Sequence, residues 1–196
     1  QVSLGYFRNF KNDLFETSVE TYYKKFNDII DYKDHAFLVP NPQLEGELRT
    51  GEAEAYGLEL MIKKSSGRFS GWISYTWSRV FRDVPEVNHG KRYPAPYDKP
   101  HNISVVLSYE LNKIVNFSAN WVYSSAIPVT VPKGGYYYGE LWIPEYSDRN
   151  AVRIPGTSYH RLDVSGNLNF RISNLSCNLN ISVYNAYNRH NAFAVY

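Results

Sequence analysis

Residues 133–153 hold the densest group of side chains able to do chemistry: Tyr136, Tyr137, Tyr138, Trp142 and Tyr146, followed by Arg149 and Arg153. Rings beside guanidinium donors can stack on and hydrogen-bond a sugar, a chelate or a planar cofactor. The same rings can instead pack on one another, ordering their loop or covering an entrance, and the residues alone leave both roles open. KGGYYYG, residues 133–139, has glycines but neither a Walker spacing nor a following helical pattern, so phosphate binding is not expected.

The remaining reactive side chains are scattered. Histidines 35, 89, 101, 160 and 190 fall singly in loops or at strand ends, which gives no metal or haem ligand set. Glu59 and Asp163 belong to polar strand faces and read as wall charges, not as an acid/base pair. The single cysteine, Cys177, excludes an internal disulfide and reads as a small hydrophobe. Asn-x-Ser sequons at Asn102, Asn116, Asn174 and Asn180 are by-products of alternation. The chain is therefore expected to be no enzyme and to need no cofactor.

The elements that must position these residues are strands. The 196 residues carry 43% hydrophobic side chains, 18 Tyr and 4 Trp, a composition suited to sheets and membrane interfaces. A net charge of +2 gives no field for nucleic acid. No window of about 18 apolar residues offers a transmembrane helix, although barrel strands need only about 9 to 11 alternating residues. No secretory leader is visible at Gln1, so the chain reads as mature, cytoplasmic or a fragment.

Period-two alternation predicts eight strands: Val2 to Asn9, Phe15 to Phe26, Ala55 to Lys64, Phe69 to Phe81, His101 to Glu110, Val115 to Ser124, Tyr159 to Phe170 and Leu175 to Asn185. Their connections alternate between short and long. Short ones lie near Lys11 to Asp13, Ser65 to Arg68, Asn112 to Lys113 and Ser173 to Asn174; long ones run Asn27 to Glu54, Arg82 to Pro100 and Ser125 to Ser158. A sandwich has no reason to gather every long loop at one end, whereas an outer-membrane barrel does.

One face of strands two to eight is free of charge, running from Thr17, Val19 and Thr21 through Leu58, Leu60 and Ile62, then Ile73, Ile103, Val105 and Leu107. It continues through Val115, Phe117 and Ala119 to Leu162, Val164, Leu168, Leu179, Ile181 and Val183, while the other face is mostly Ser, Asn, Thr, Glu and Asp. Alternation fits a soluble sheet equally well. Depth favours the membrane: a strand tilted about 45° climbs roughly 2.3 Å per residue, which puts Trp77 and Tyr123 roughly 23 Å above their turns, at the far edge of an apolar band about 25 Å tall. With Trp121 they would form the outer girdle, and Phe69 and Tyr109, with Phe15 and Phe170, the inner one. Lys25 and Arg79 are the first outward charges above the band; in strand one Arg8 breaks the pattern close to its turn. If the short turns are periplasmic, both chain ends emerge outside, as expected for a segment of a larger barrel.

VETYYKKFNDIIDYK, AYGLELMIKKSSGRFSGWISYTWSR, YPAPYDKPHNISVVLSYELNK, RIPGTSYHRLDVSGNLNF and ISVYNAYNRHNAF, in this order and turn spacing, resemble the C-terminal half of the barrel of a TonB-dependent outer-membrane receptor. The resemblance implies an all-β transmembrane antiparallel barrel of about 22 strands, of which residues 1–196 supply about eight, importing a scarce ligand with TonB-transmitted energy. The cargo it allows is a siderophore, haem, a vitamin such as cobalamin, a glycan or a peptide. Its implied partners are the remaining strands and plug of the same receptor, the TonB energy-transducing complex, outer-membrane lipid and a surface lipoprotein. Against the family pattern, residues 1–196 are expected to carry no plug, no TonB-contacting segment and no final strand after Asn191 to Tyr196, and so read as a partial barrel domain. A passive porin and a soluble β-sandwich binding module are the alternative readings.

Overall fold

The computed structural model describes residues 1–39 and 41–192; of the stretch after Asn191 expected to lack a closing strand, residues 193–196 lie outside the described residues. The strands are β1 (Val2–Phe10), β2 (Phe15–Tyr32), β3 (Leu48–Lys64), β4 (Phe69–Asp83), β5 (Tyr93–Pro94), β6 (His101–Glu110), β7 (Val115–Ser124), β8 (Pro132–Tyr138), β9 (Leu141–Tyr146), β10 (Tyr159–Ile172) and β11 (Leu175–Val183). The fold is all-β and antiparallel, with single helical turns at Leu44–Glu47 and Asn88–Gly90. The eight predicted strands form one meander in chain order, β1-β2-β3-β4-β6-β7-β10-β11; the short β5 adds to β4, and β8 and β9 form a separate hairpin.

Register settles which residues share a face. Leu58 pairs with Thr21 and Trp77, Ile73 with Ile62 and Val105, Leu107 with Gly71 and Ala119, and Val164 with Ala119 and Val183. The uncharged phase is thus continuous from β2 to β11. One glycine marks a close approach between neighbouring strands: Gly71 has φ +138°, and a Cβ there would collide with the Val106 carbonyl. At the short turns Lys11, Asn12 and Asp13 are left-handed, with Asn9 donating to Asp13 at 2.9 Å, and Asn112 Oδ1 accepts the amides of Ile114 and Val115 at 2.8 Å.

Burial is the reverse of that in a soluble sheet. Leu107, Ile73, Phe117, Leu179 and Ile181 on the uncharged face are all exposed, and among the described residues no second sheet covers them. The buried cluster lies instead in the second long loop, where Val84, Val87 and Tyr93 pack with Ile29. On the opposite face polar side chains join across strands: Asn167 donates to Asn116 at 2.8 Å, Asn180 to Asn167 at 2.6 Å, and Ser118 and Ser165 share a bond of 2.6 Å.

Two connections differ from expectation. The first long loop is shorter than Asn27 to Glu54, because β2 runs on to Tyr32 and β3 begins at Leu48. A bulge between Phe26 and Ile29, with Asp28 at φ 55°, breaks the alternation and hides the extension from a period-two reading. The third loop is no plain loop either, since it folds back as the β8–β9 hairpin.

Candidate functional site

The hairpin carries Tyr136, Tyr137, Tyr138 and Trp142 away from the sheet. Tyr137 faces Trp142 edge-on with centroids 5.0 Å apart, while Tyr136 pairs with Ile143 and Tyr138 with Leu141, so both hairpin faces are apolar. Trp142 lies over Gly135, where a Cβ would meet its indole. Even so packed, Tyr137 and Tyr138 remain 72% and 77% exposed. Below the hairpin a cavity of about 730 Å³ opens between the three long loops, with Tyr32, Asp34, His89, Thr130, Tyr146 and Arg149 in its wall. That volume lies within the roughly 300–1,000 Å³ usual for small-molecule sites.

Arg149 ties this region together. It donates to Asp31 at 2.9 Å, Asp34 at 3.1 Å, the Tyr32 carbonyl at 2.6 Å and the Lys33 carbonyl at 3.1 Å. Its own amide donates to Asn88 Oδ1 at 2.6 Å, and Asn88 Nδ2 returns a bond to the Arg149 carbonyl at 3.0 Å. Arg153 reaches the Asp98 carboxylate, the Asp98 carbonyl at 2.8 Å and the Ala126 carbonyl. Asp98 is fully buried and also accepts from Arg79 at 3.1 Å and the Val80 amide at 2.7 Å.

The seven residues singled out in the sequence therefore separate into three groups. Tyr136, Tyr137, Tyr138 and Trp142 sit on the hairpin, Tyr146 and Arg149 at the cavity, and Arg153 at the Asp98 node. Both arginines have partners within the protein. His35, Glu86, His89 and Asp148, also in the cavity wall, were not among the sequence candidates; only the turn signal of Asn88-His89-Gly90 hinted at them. Of the girdle candidates, Trp121 and Tyr123 stack at 6.2 Å, Phe69 and Tyr109 meet tilted at 4.5 Å, and Trp77 lies 5.9 Å from Tyr56. Above them Lys25 pairs with Glu52 at 2.8 Å, and Phe81 takes the guanidiniums of Arg79 and Arg92, each 4.5 Å from its centroid.

Asp31, on the extension of β2, is the second node. It accepts from the Tyr93 hydroxyl at 2.7 Å, the Tyr32 amide at 2.8 Å, Arg82 at 2.9 Å and Arg149. Burial alone would raise its carboxyl, but these donors outweigh burial and hold it below the ordinary value; burial and Asp31 together push the Tyr93 phenol up. A depressed carboxyl contributes stability that is complete above its unfolded-state value and lost as pH falls through the folded one. Limited proteolysis of the loops should therefore show protection at about pH 5 that fails only in stronger acid. Asp31→Asn should loosen the loops already at neutral pH. Equal protection of variant and parent across the range would remove Asp31 from this role.

The model of the family described as TonB dependent receptor-like, beta-barrel, matches residues 1–188. The chain belongs to this family. It is a family of outer-membrane transport receptors and not of enzymes, and the meander, its long strands and its one-ended long loops are the receptor-barrel features present here. No curated protein matches the chain. For this receptor-family chain the loop cluster is the candidate site, since it sets exposed rings beside an open cavity walled by the three long loops.

Proposed function

We propose that the chain forms part of an outer-membrane active-transport receptor, in which the sheet spans the bilayer and the three long loops capture a scarce ligand imported with TonB-transmitted energy. The observation that carries this reading is the inverted burial: the uncharged face is exposed or half-exposed from β2 to β11 while the buried cluster lies among the loops. Lipid tails are the natural cover for such a face. The outer strands β1 and β11 end the meander and leave ladder groups open, which suits continuation into the rest of a closed barrel around a plug. The exposed rings of Tyr136, Tyr137, Tyr138 and Trp142 make first contact, Tyr146 walls the cavity, and Arg149 and Arg153 hold the loops in place.

Uptake separates this reading from a passive pore. Ligand import by cells carrying the receptor should stop when the proton gradient is collapsed; transport that continues undiminished would sink the energised mechanism. Replacing Tyr136, Tyr137 and Tyr138 together with Ala should weaken uptake by about tenfold, as expected for lost aromatic contacts, without lowering barrel yield. Reduced yield with unchanged affinity would instead assign the rings to packing within the loop.

A further inference from the structure

Among the described residues the cavity between the loops has no free lysine or arginine in its wall. Lys33 pairs with Glu47 at 3.3 Å, and Arg149 uses its donors on Asp31, Asp34 and two carbonyls. The neighbouring Arg49 grips both oxygens of Glu86 at 2.9 and 2.8 Å, so that carboxylate is neutralised. Asp148 differs: its carboxylate is exposed in the wall and makes no hydrogen bond or ion pair among the described residues, and neither do the rings of His35 and His89. A ligand entering here meets one unpaired negative charge, two imidazoles, the Thr130 side chain and the rings of Tyr32 and Tyr146.

These groups discriminate between ligand classes. An anionic chelate would lose water beside Asp148 with no positive charge to replace it. Hydroxyl groups are suited to the site: a carboxylate accepts from them, imidazoles both donate and accept, and tyrosine rings cover the C–H faces between them. The wall is also held ready. His35, Glu86, Asn88 and His89 have φ of 59°, 61°, 50° and 57°, left-handed conformations that cost L-residues energy and persist where the surroundings enforce them. Here Asn88 is fixed by its bonds to Arg149 and Asp34, and Glu86 by Arg49.

We infer that this cavity binds a neutral saccharide, its hydroxyls held by Asp148, His35 and His89 and its ring face by Tyr32 and Tyr146. The inference rests on the receptor reading above and names the ligand class of that same site. Calorimetry on the full-length receptor in detergent tests it, with neutral oligosaccharides of glucose, mannose, galactose and N-acetylglucosamine as probes and a ferric tris-catecholate and spermidine as charged ones. At least one neutral oligosaccharide should bind, and Asp148→Ala and Tyr146→Ala should each weaken it about tenfold or more. Asp148 is exposed, so an unchanged melting temperature checks that its variant is folded. Binding of a charged probe alone, no binding by any neutral sugar, or affinity unchanged in both variants overturns the inference. Its failure is distinct from that of the receptor reading. Sugar binding with uptake indifferent to the proton gradient supports the site and defeats the energised mechanism, whereas energised uptake of the ferric chelate alone does the opposite.

Discussion

Leu107→Arg should cost roughly 2 to 4 kcal/mol of barrel stability, while Ser108→Arg, one residue further along the same strand, should be tolerated. The two side chains point to opposite faces of β6. Leu107 is 47% exposed, stands opposite Gly71 and Ala119 near the middle of the uncharged face, and has no polar group opposite it for a guanidinium to join. Ser108 stands opposite Ser70 and Ser118 on the hydroxyl- and amide-rich face, which a wet lumen would hydrate. Urea titration of the receptor refolded into lipid vesicles measures both. A soluble sheet with a water-covered Leu107 would be little harmed by Arg there, so equal tolerance removes the bilayer from this face. Equal damage would mean that the Ser108 face is a dry interior, and would remove the lumen.

The contrast rests on a register that was largely legible in the sequence. β6 and β7 have the expected boundaries, His101 to Glu110 and Val115 to Ser124, because both strands alternate without interruption between polar turns. Where alternation fails, so does the reading. The bulge after Phe26 places Asn27 and Asp28 against a single residue of β3, shifting the phase, and six further residues of β2 look like loop. Tyr136 to Tyr138 hide the hairpin for a related reason: with rings on both faces there is no period of two to find. The site was less legible than the fold. Arg149 looks like a free donor for ligand until Asp31 and Asp34, more than a hundred residues earlier in the chain, are seen beside it. No local pattern encodes a contact of that separation. The same applies to Asp98, which as a sequence is one polar residue in a proline-rich connection and in the structure is fully buried.

Asp98→Ala should be the most damaging change among the loops, costing roughly 3 to 5 kcal/mol, the range for removing one partner of a buried ionic group. Asp98 neutralises two guanidiniums, Arg79 from β4 and Arg153 from the third loop, and accepts from the Val80 amide near the end of β4. Without it, two partly buried cations face each other with no counter-charge, and an amide loses its acceptor. The third loop should then detach from the second, because Arg153 also joins the Asp98 carbonyl to that of Ala126. Faster protease cleavage within residues 125–158, at unchanged barrel yield, is the expected result. The exposed pair between Arg92 and Glu54 supplies the comparison: it lies at a similar height, its two side chains are 45% and 34% exposed, and solvent already screens it, so Glu54→Ala should leave cleavage nearly unchanged. Asp98→Asn should fall between the two, since the amide oxygen can still accept from Val80 but cannot balance two charges. If all three variants are cleaved at the same rate, burial is not what gives the Asp98 node its strength, and the loops are held by the hairpin and the Arg149 ties alone.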